Sequence, residues 1–180
     1  MTLEREVLIS ALRMTKDGCA RIEDISLDAR VPVQIVYRLA RRYAKRETLN
    51  LEGKTLTMNG HQRLKAAVHA VELGADLERV CDLLGWNEFE DFSALALENN
   101  GFSVTKHFRF KHLEKRWEID IVASKSPIVA SVDCKHWHRG WRRSSIAKTA
   151  EERVKRTQSL ADASSALRED FGISSWKEAR

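Results

Sequence analysis

The sequence predicts an α/β protein of two domains, because two different patterns follow one another along its 180 residues. Up to about residue 85, apolar residues recur at helical spacing and are interrupted by one short hairpin signal. From residue 86 onward, a helical segment is followed by three β-prone stretches and a long helix. A chain of this length can form two small cores, and it contains no internal repeat.

Three helices and a hairpin are predicted in the first domain, residues 1–60. Apolar spacing predicts helices over residues 3–14, 23–30 and 32–46. Two short β-prone stretches then flank Gly53, a residue type that tight hairpin turns favour. Three helices followed by a small hairpin is the layout of a winged helix-turn-helix, so we expect a DNA-binding domain here.

The remaining elements are predicted as a connector and a second domain. Helices over 61–73 and 76–84 are expected to form a helical connector, residues 61–85. The second domain, residues 86–180, is predicted to contain a helix over 86–99, strands over 102–110, 116–124 and 127–135, and a helix over 145–167. The expected buried face of the last helix consists of Ile146, Ala150, Val154, Thr157 and Ala161.

The composition excludes several classes of protein. Hydrophobic residues make up 43% and charged residues 32%, as in an ordinary folded chain. No apolar run approaches the roughly 18 residues of a membrane-spanning helix, and the first ten residues lack the apolar centre of a secretory signal. Three widely spaced cysteines argue against a disulfide framework or structural zinc. We therefore expect a reduced, cytoplasmic protein without a membrane partner.

Carboxylates on two neighbouring predicted strands indicate a metal site. Because strand residues alternate between faces, Glu118 and Asp120 share one face, and Asp133 shares a face with Lys135. Aspartate and lysine are seldom buried unless they are paired or bound to something. Two carboxylates with an ammonium nearby suit a hard cation such as Mg²⁺ and phosphate chemistry.

The ordered set of these residues resembles the PD-(D/E)xK nucleases. The set comprises Phe89-Glu90 on a helix, Glu118-Ile119-Asp120 on one strand and Asp133-Cys134-Lys135 on the next. It is most similar to Mrr-type restriction endonucleases and archaeal Holliday-junction resolvases, over roughly residues 86–165. The resemblance implies a restriction-endonuclease-like α-β-β-β-α core and a homodimer.

The resemblance also implies a role for each residue of the set. Asp120 would be the central metal ligand, Asp133 the second carboxylate ligand, and Cys134 would add its carbonyl oxygen. Lys135 would orient the attacking water and stabilise charge in the transition state. Glu90 would hold the metal through water or bind a second ion. The metal would be Mg²⁺, for which Mn²⁺ could substitute.

Plainer interpretations remain open at this point. Asp133 and Lys135 could form a solvated ion pair at a strand end, which contributes little stability. Glu118 and Gln158 are either near the metal ligands or exposed. Residues 168–180 contain no strand-like run, so the further strand usual in such nucleases would be absent or supplied from elsewhere.

Two basic clusters are candidate nucleic-acid contacts, in a chain whose net charge is +5. The first follows the metal ligands and combines cations with flat rings: His136, Trp137, Arg139, Arg142 and Arg143. The second lies on the third helix and the hairpin turn: Arg38, Arg41, Arg42, Lys45 and Lys54. The alternatives are a polar connection whose tryptophans pack on the core, and a solvated helix face.

The sequence therefore predicts a metal-dependent DNA endonuclease that hydrolyses phosphodiester bonds in duplex or branched DNA. The alternative is a DNA-binding regulator or architectural protein whose nuclease-like domain is not catalytic. An RNA-processing nuclease is a third possibility, because metal and phosphate chemistry do not distinguish the two sugars.

Overall fold

The computed structural model describes residues 2–134 and 143–167, and it divides the chain into two compact units. The first unit is Met1–Phe92 and the second is Ser93–Arg180. Over the described residues the protein is mixed α/β, with seven helices and two three-stranded antiparallel sheets. None of the helices in this part of the chain is long and apolar enough to cross a bilayer.

The N-terminal unit is mostly helical and contains one small sheet. Its elements are α1 (Leu3–Met14), β1 (Cys19–Arg21), α2 (Ile22–Ala29), α3 (Val33–Lys45), β2 (Asn50–Glu52), β3 (Thr55–Thr57), α4 (Gly60–Glu72) and α5 (Leu77–Cys81), followed by the start of α6 (Trp86–Asn99). The strands β2 and β3 form a hairpin around Gly53, whose φ of 58° is one that glycine adopts without a steric penalty.

Strand β1 is an addition to the predicted elements. It pairs antiparallel with β3, from Cys19 opposite Thr57 to Arg21 opposite Thr55, which gives the strand order β1-β3-β2. Three residues are too few to show an alternating pattern in the sequence. Strand β1 therefore forms because β3 supplies its hydrogen-bonding partners.

The core of the N-terminal unit joins α1, α3 and α4. Apolar spacing along α3 predicts an inner face of Val36, Leu39, Ala40 and Tyr43, and all four are buried. Residues 61–85 were expected to connect two domains, but α4 buries an alanine face, Ala66, Ala67 and Ala70, in this core. The two compact units divide after Phe92, and the domain boundaries at residues 60 and 85 stay a prediction.

A buried arginine on α4 ties several segments of this unit together. Arg63 is 4% exposed, and its guanidinium group donates to the carbonyl oxygens of Leu12 and Leu83 at 2.7 and 2.6 Å. It also forms an ion pair with Glu88, with 2.7 Å between Nε and Oε1. The other oxygen of Glu88 accepts from the backbone N–H of Gly85 at 2.8 Å. A buried cation is tolerated here because its donors are satisfied.

The C-terminal unit is built on a meander of three strands. Its elements are β4 (Ser103–His112), β5 (Lys115–Lys125), β6 (Ile128–Val132) and α7 (Arg143–Leu167). Strand β5 is central and pairs antiparallel with both neighbours. Its apolar core consists of Phe110, Ile119, Val122, Leu160 and Ala163. The third strand ends at Val132 and not at residue 135, so Asp133 and Cys134 follow the strand.

The buried face expected for α7 is wrong. Ala150, Val154 and Thr157 are exposed, Val154 at 68%, and the side chain of Ile146 lies outside the described part. Among the described side chains of α7, Leu160 and Ala163 enter the core. The polar contacts of Arg153 and Arg156, described below, account for this orientation.

We expect Arg63→Met to lower the free energy of unfolding of the N-terminal unit by about 3 kcal/mol, because it leaves Glu88 and two carbonyl groups without their donor. Urea unfolding followed by circular dichroism measures this difference. Lys65→Met, at an exposed position of the same helix, is the matched control and should change stability by less than about 0.5 kcal/mol. Equal effects of the two variants would contradict the role given to Arg63.

The pH dependence of this unit depends on Glu6 of α1, a buried carboxylate bonded by two guanidinium groups. Arg5 Nε lies 3.0 Å and Arg79 Nη2 lies 3.1 Å from its oxygens. Burial raises the pKa of Glu6, but the bonds from Arg5 and Arg79 outweigh that effect and lower the pKa below its ordinary value of 4.5. A lowered folded-state pKa means stabilisation that is present above pH 4.5 and lost as the pH falls below it.

We therefore expect the free energy of unfolding at neutral pH to be about 1 kcal/mol higher for wild type than for the Glu6→Gln variant. The difference should shrink as the pH falls below 4.5, the ordinary pKa of this carboxyl. Urea titrations at a series of pH values test this. Glu52→Gln, at an exposed position on β2, should show a difference near zero throughout. If the difference between wild type and Glu6→Gln grew in acid, folding would raise the pKa of Glu6 and not lower it.

Candidate functional site

The register of the second sheet brings two of the predicted metal ligands to one face. The pairing of β5 with β6 ends where Ile121 lies opposite Val132; Asp120 precedes Ile121, and Asp133 follows Val132. Residues directly opposite one another in an antiparallel pair project to the same face. Both side chains line one cavity of about 470 Å³.

Both signs of charge are present in this cavity. Its carboxylates are Glu118, Asp120, Asp133 and Glu152, and its cations are Lys115, Arg116, Lys155 and Arg156, beside Trp117. The carboxylates belong to β5, to α7 and to Asp133, the residue that follows β6. The cations belong to the start of β5 and to α7. Such a cavity has donors for a phosphate group and oxygen acceptors for a cation.

Asp120 is positioned by the backbone that follows β6. Its Oδ2 atom accepts a hydrogen bond from the N–H of Cys134 at 2.8 Å. The side chain of Cys134 is itself buried, which fixes that N–H. The contact holds the end of β6 beside the middle of β5, with the carboxylate between them.

Asp133 is held by two arginines of α7. Its side chain is 7% exposed, and Arg153 Nε lies 2.9 Å from Oδ2 while Arg156 Nη1 lies 3.2 Å from Oδ1. Arg153 also donates from Nη2 to the carbonyl oxygen of Asp133 at 3.0 Å. Sequence reasoning missed both arginines. Their spacing of three residues puts them on one helix face, and that is the signal that could have identified them.

The donor types in the cavity fit Mg²⁺, which binds carboxylate and carbonyl oxygens in preference to nitrogen or sulfur. The fit is limited by Asp133, because a metal ion would compete with two guanidinium groups for its oxygens. Within residues 2–134 and 143–167, no group of three or more His, Cys, Asp or Glu side chains is arranged to hold a metal ion. Asp120 and Asp133 are thus the part of the predicted ligand set that the cavity contains.

Glu118 shares a face with Asp120 but is exposed at the cavity edge. Arg109 Nε donates to its Oε2 at 2.9 Å, and His107 Nδ1 lies 4.0 Å from Oε1. The hydrogen bond from Arg109 lowers the pKa of Glu118. Gln158 donates to Asp162 on the exposed side of α7 at 2.8 Å, as a solvated helix face would allow.

The described structure leaves the predicted roles of the remaining residues untested. Glu90 belongs to the N-terminal unit and is 2% exposed, so its assignment as a metal ligand stays a prediction. Lys135 lies outside the described residues. So do four residues of the basic segment, His136, Trp137, Arg139 and Arg142. Arg143 is the first residue of α7, and its side chain is outside the described part.

The basic stripe expected on α3 divides into two groups. Arg38, Arg41 and Lys45 are exposed on this helix. Arg42 forms an ion pair with Glu4 of α1, whose carboxylate also accepts from the hydroxyl of Tyr43. Lys54, at the hairpin turn, lies 2.7 Å from Glu23 of α2. Arg42 therefore also stabilises the packing of α3 on α1.

A groove of about 460 Å³ lies between α3 and the β2–β3 hairpin, within the N-terminal unit. The exposed Tyr37 lines it, and the guanidinium group of Arg41 lies 5.9 Å from the centre of the Tyr37 ring. Gln34 and Lys54 line the same groove. A flat ring with a cation beside it is a suitable surface for nucleic acid.

Comparison of the chain with models of protein families, with curated protein sequences and with solved structures found no match. The geometry of the cavity and of the α3 surface is therefore the basis of the functional proposal.

We expect Asp133→Asn to lower the free energy of unfolding of the C-terminal unit by about 2 kcal/mol in chelator, because charge-assisted bonds from two arginines are weakened. Glu151→Gln, at an exposed position on α7, removes the same charge and should have little effect. Urea unfolding of both variants measures the contrast. A gain in stability for Asp133→Asn would mean that repulsion between Asp120 and Asp133 outweighs the arginine bonds.

Proposed function

We propose that this protein is a metal-dependent DNA endonuclease that hydrolyses phosphodiester bonds. The observation that carries the proposal is that Asp120 of β5 and Asp133, directly after β6, line one cavity with Lys155 and Arg156. Paired carboxylates beside cations are what metal-assisted phosphate hydrolysis requires.

The order of elements supports a restriction-endonuclease-like core in the second half of the chain. Helix α6, strands β4, β5 and β6 and helix α7 follow one another as the resemblance to PD-(D/E)xK nucleases implies. Asp120 lies on the central strand, and Asp133 directly follows its neighbour β6. This agreement supports the assignment of the two aspartates as ligands, with Cys134 offering its carbonyl oxygen.

The N-terminal unit supports the winged-helix assignment in the same way. Its first three helices precede a β-hairpin, and β1 joins that hairpin in a three-stranded sheet. Helix α3 exposes three cations, Arg38, Arg41 and Lys45, and the hairpin turn carries Lys54. In this assignment α3 enters the major groove and Lys54 contacts a phosphate.

In the proposed reaction, this chain binds a DNA phosphate beside the two carboxylates. Lys115, Arg116 and Lys155 neutralise the charge of the phosphate backbone and orient it. Lys135 hydrogen-bonds the attacking water and stabilises the charge that develops on the phosphate oxygens. Asp120, Asp133 and the carbonyl oxygen of Cys134 would hold Mg²⁺, which would supply further charge neutralisation and make water a stronger nucleophile.

A DNA-binding regulator or architectural protein is the second candidate, and one observation favours it. Both oxygens of Asp133 are bonded by guanidinium groups of Arg153 and Arg156, an arrangement that also serves as a permanent structural contact. In that case the cavity binds no metal, and DNA binding by α3 needs neither Asp120 nor Asp133.

A cleavage assay separates the two candidates. Supercoiled plasmid and branched oligonucleotides are incubated with the full chain in Mg²⁺, Mn²⁺ or chelator. We expect metal-dependent nicking that Asp120→Asn and Asp133→Asn each slow by at least about 100-fold, because each removes a group that acts in the transition state.

Glu98→Gln is the matched control, since it removes one carboxylate from an exposed position of α6 in the same unit. It should cleave at the wild-type rate. Cleavage that survives Asp133→Asn would reject the site. DNA binding without cleavage under every metal condition would support the regulator instead.

A further inference from the structure

The β4–β5 hairpin extends beyond the three-stranded part of its sheet. Strand β4 pairs with β5 from Ser103 opposite Ser124 to His112 opposite Lys115, whereas the pairing of β6 covers residues 121–125 of β5. Among the residues that the structure describes, the end of the hairpin beyond this pairing is a two-stranded ribbon. A ribbon of this width can enter a groove of duplex DNA.

The ribbon is strongly basic. Between residues 106 and 116 it carries five Lys or Arg side chains against one carboxylate: Lys106, Arg109, Lys111, Lys115 and Arg116 against Glu114. Protein–protein interfaces are depleted in lysine at their centres, whereas DNA-binding surfaces are enriched in it. The charge therefore favours a polyanion over a protein partner.

Two of these cations face one another across the ribbon. Lys111 lies directly opposite Arg116 in the register of β4 and β5. Like charges at directly opposed positions destabilise a strand pair, so this pair does not serve folding. Phosphate groups along the ribbon would offset the repulsion.

The tip of the ribbon exposes an apolar side chain in an unfavourable backbone conformation. Leu113 is 86% exposed, and the φ angles of Leu113 and Glu114 are 46° and 60°. A two-residue turn of this kind favours Asn or Gly, because other residues are strained at positive φ. Neither turn chemistry nor burial in the core accounts for leucine at this position.

Two cations of the ribbon, Arg109 and Lys111, form ion pairs that phosphate can replace. Lys111 pairs with Glu114 at 2.7 Å and Arg109 with Glu118 at 2.9 Å, and all four side chains are exposed. Such surface pairs contribute little and are readily replaced by phosphate contacts. The Nζ atom of Lys115 lies 3.7 Å from the centre of the Trp117 ring, which holds that cation near the cavity of Asp120 and Asp133.

We propose that the β4–β5 hairpin is a DNA-binding arm. Its cations contact the phosphates on either side of a groove, and Leu113 inserts between neighbouring base pairs. Apolar wedges with flanking cations bend duplex DNA in this way. Seven residues separate Leu113 from Asp120, roughly 20 Å along the strand, so the same duplex can reach the arm and the cavity. The inference rests on the proposed action on DNA and extends it to a substrate that is bent where it is bound.

Salt-dependent binding tests the cations of the arm. A fluorescein-labelled duplex is titrated with the full chain in chelator, so that no cleavage occurs, at several salt concentrations. We expect the double variant Lys111→Ala with Arg116→Ala to bind with a weaker salt dependence. The negative slope of log K, the DNA association constant, against log salt concentration should become shallower by about 2, since two phosphate contacts are lost. Because this variant removes a like-charge pair, its thermal stability should not fall.

The control variant carries Lys16→Ala and Lys65→Ala, which removes the same charge from exposed positions of the N-terminal unit. Its slope should match wild type. If wild type binds duplex and the two double variants have equal slopes, the arm is rejected while the proposed function stands. If wild type binds no duplex, the arm is rejected, and the cleavage assay with plasmid and branched DNA decides the proposed function separately.

Base unstacking tests Leu113. Duplexes that carry 2-aminopurine at successive positions should show an increase in fluorescence at one step when the wild-type chain binds, because unstacking relieves quenching. Leu113→Asn keeps a residue that tolerates the turn, and it should abolish the increase and weaken binding about tenfold. An emission that does not change on binding at any position would overturn the insertion of Leu113.

Discussion

Two carboxylates that face one another across neighbouring strands need compensation, and much of the C-terminal unit is arranged around that need. The register of β5 and β6 brings Asp120 and Asp133 to one face. The N–H of Cys134 satisfies the first, and Arg153 and Arg156 satisfy the second. Without these donors, two partly buried negative charges would cost several kcal/mol, on the order of the penalty for a single desolvated ion. The position of α7 follows from this requirement.

The same contacts determine how the proposed chemistry could operate. A carboxylate that binds a guanidinium group in one state can bind a cation in another, because both are positive partners for the same oxygens. The arginines released from Asp133 would then be beside the phosphate and could neutralise its charge. The balance between Arg153 and Arg156 on one side and a metal ion on the other is therefore what separates the two proposed functions.

Both units present cations on regular secondary structure. In the N-terminal unit the exposed cations are on α3, whose inner face is anchored by Tyr43 and by the ion pair of Arg42 with Glu4. In the C-terminal unit they are on the β4–β5 ribbon, which continues from the central strand that carries Asp120. Side chains on helices and strands are positioned more exactly than those on loops, which suits contacts to the regular spacing of phosphates.

Features that depend on local periodicity can be read from the amino-acid order alone. Alternation along β5 puts Glu118 and Asp120 on one face, and helical spacing identifies the inner face of α3. Features that depend on a distant partner emerge only when the chain is folded. Strand β1 requires β3, the role of Arg63 requires carbonyl groups from two other segments, and α4 joins the core through its alanine face. Helix α7 shows the reason most clearly. Hydrophobicity alone favoured burial of Val154, but electrostatic pairing with Asp133 orients Arg153 and Arg156 toward the sheet and leaves Val154 in solvent.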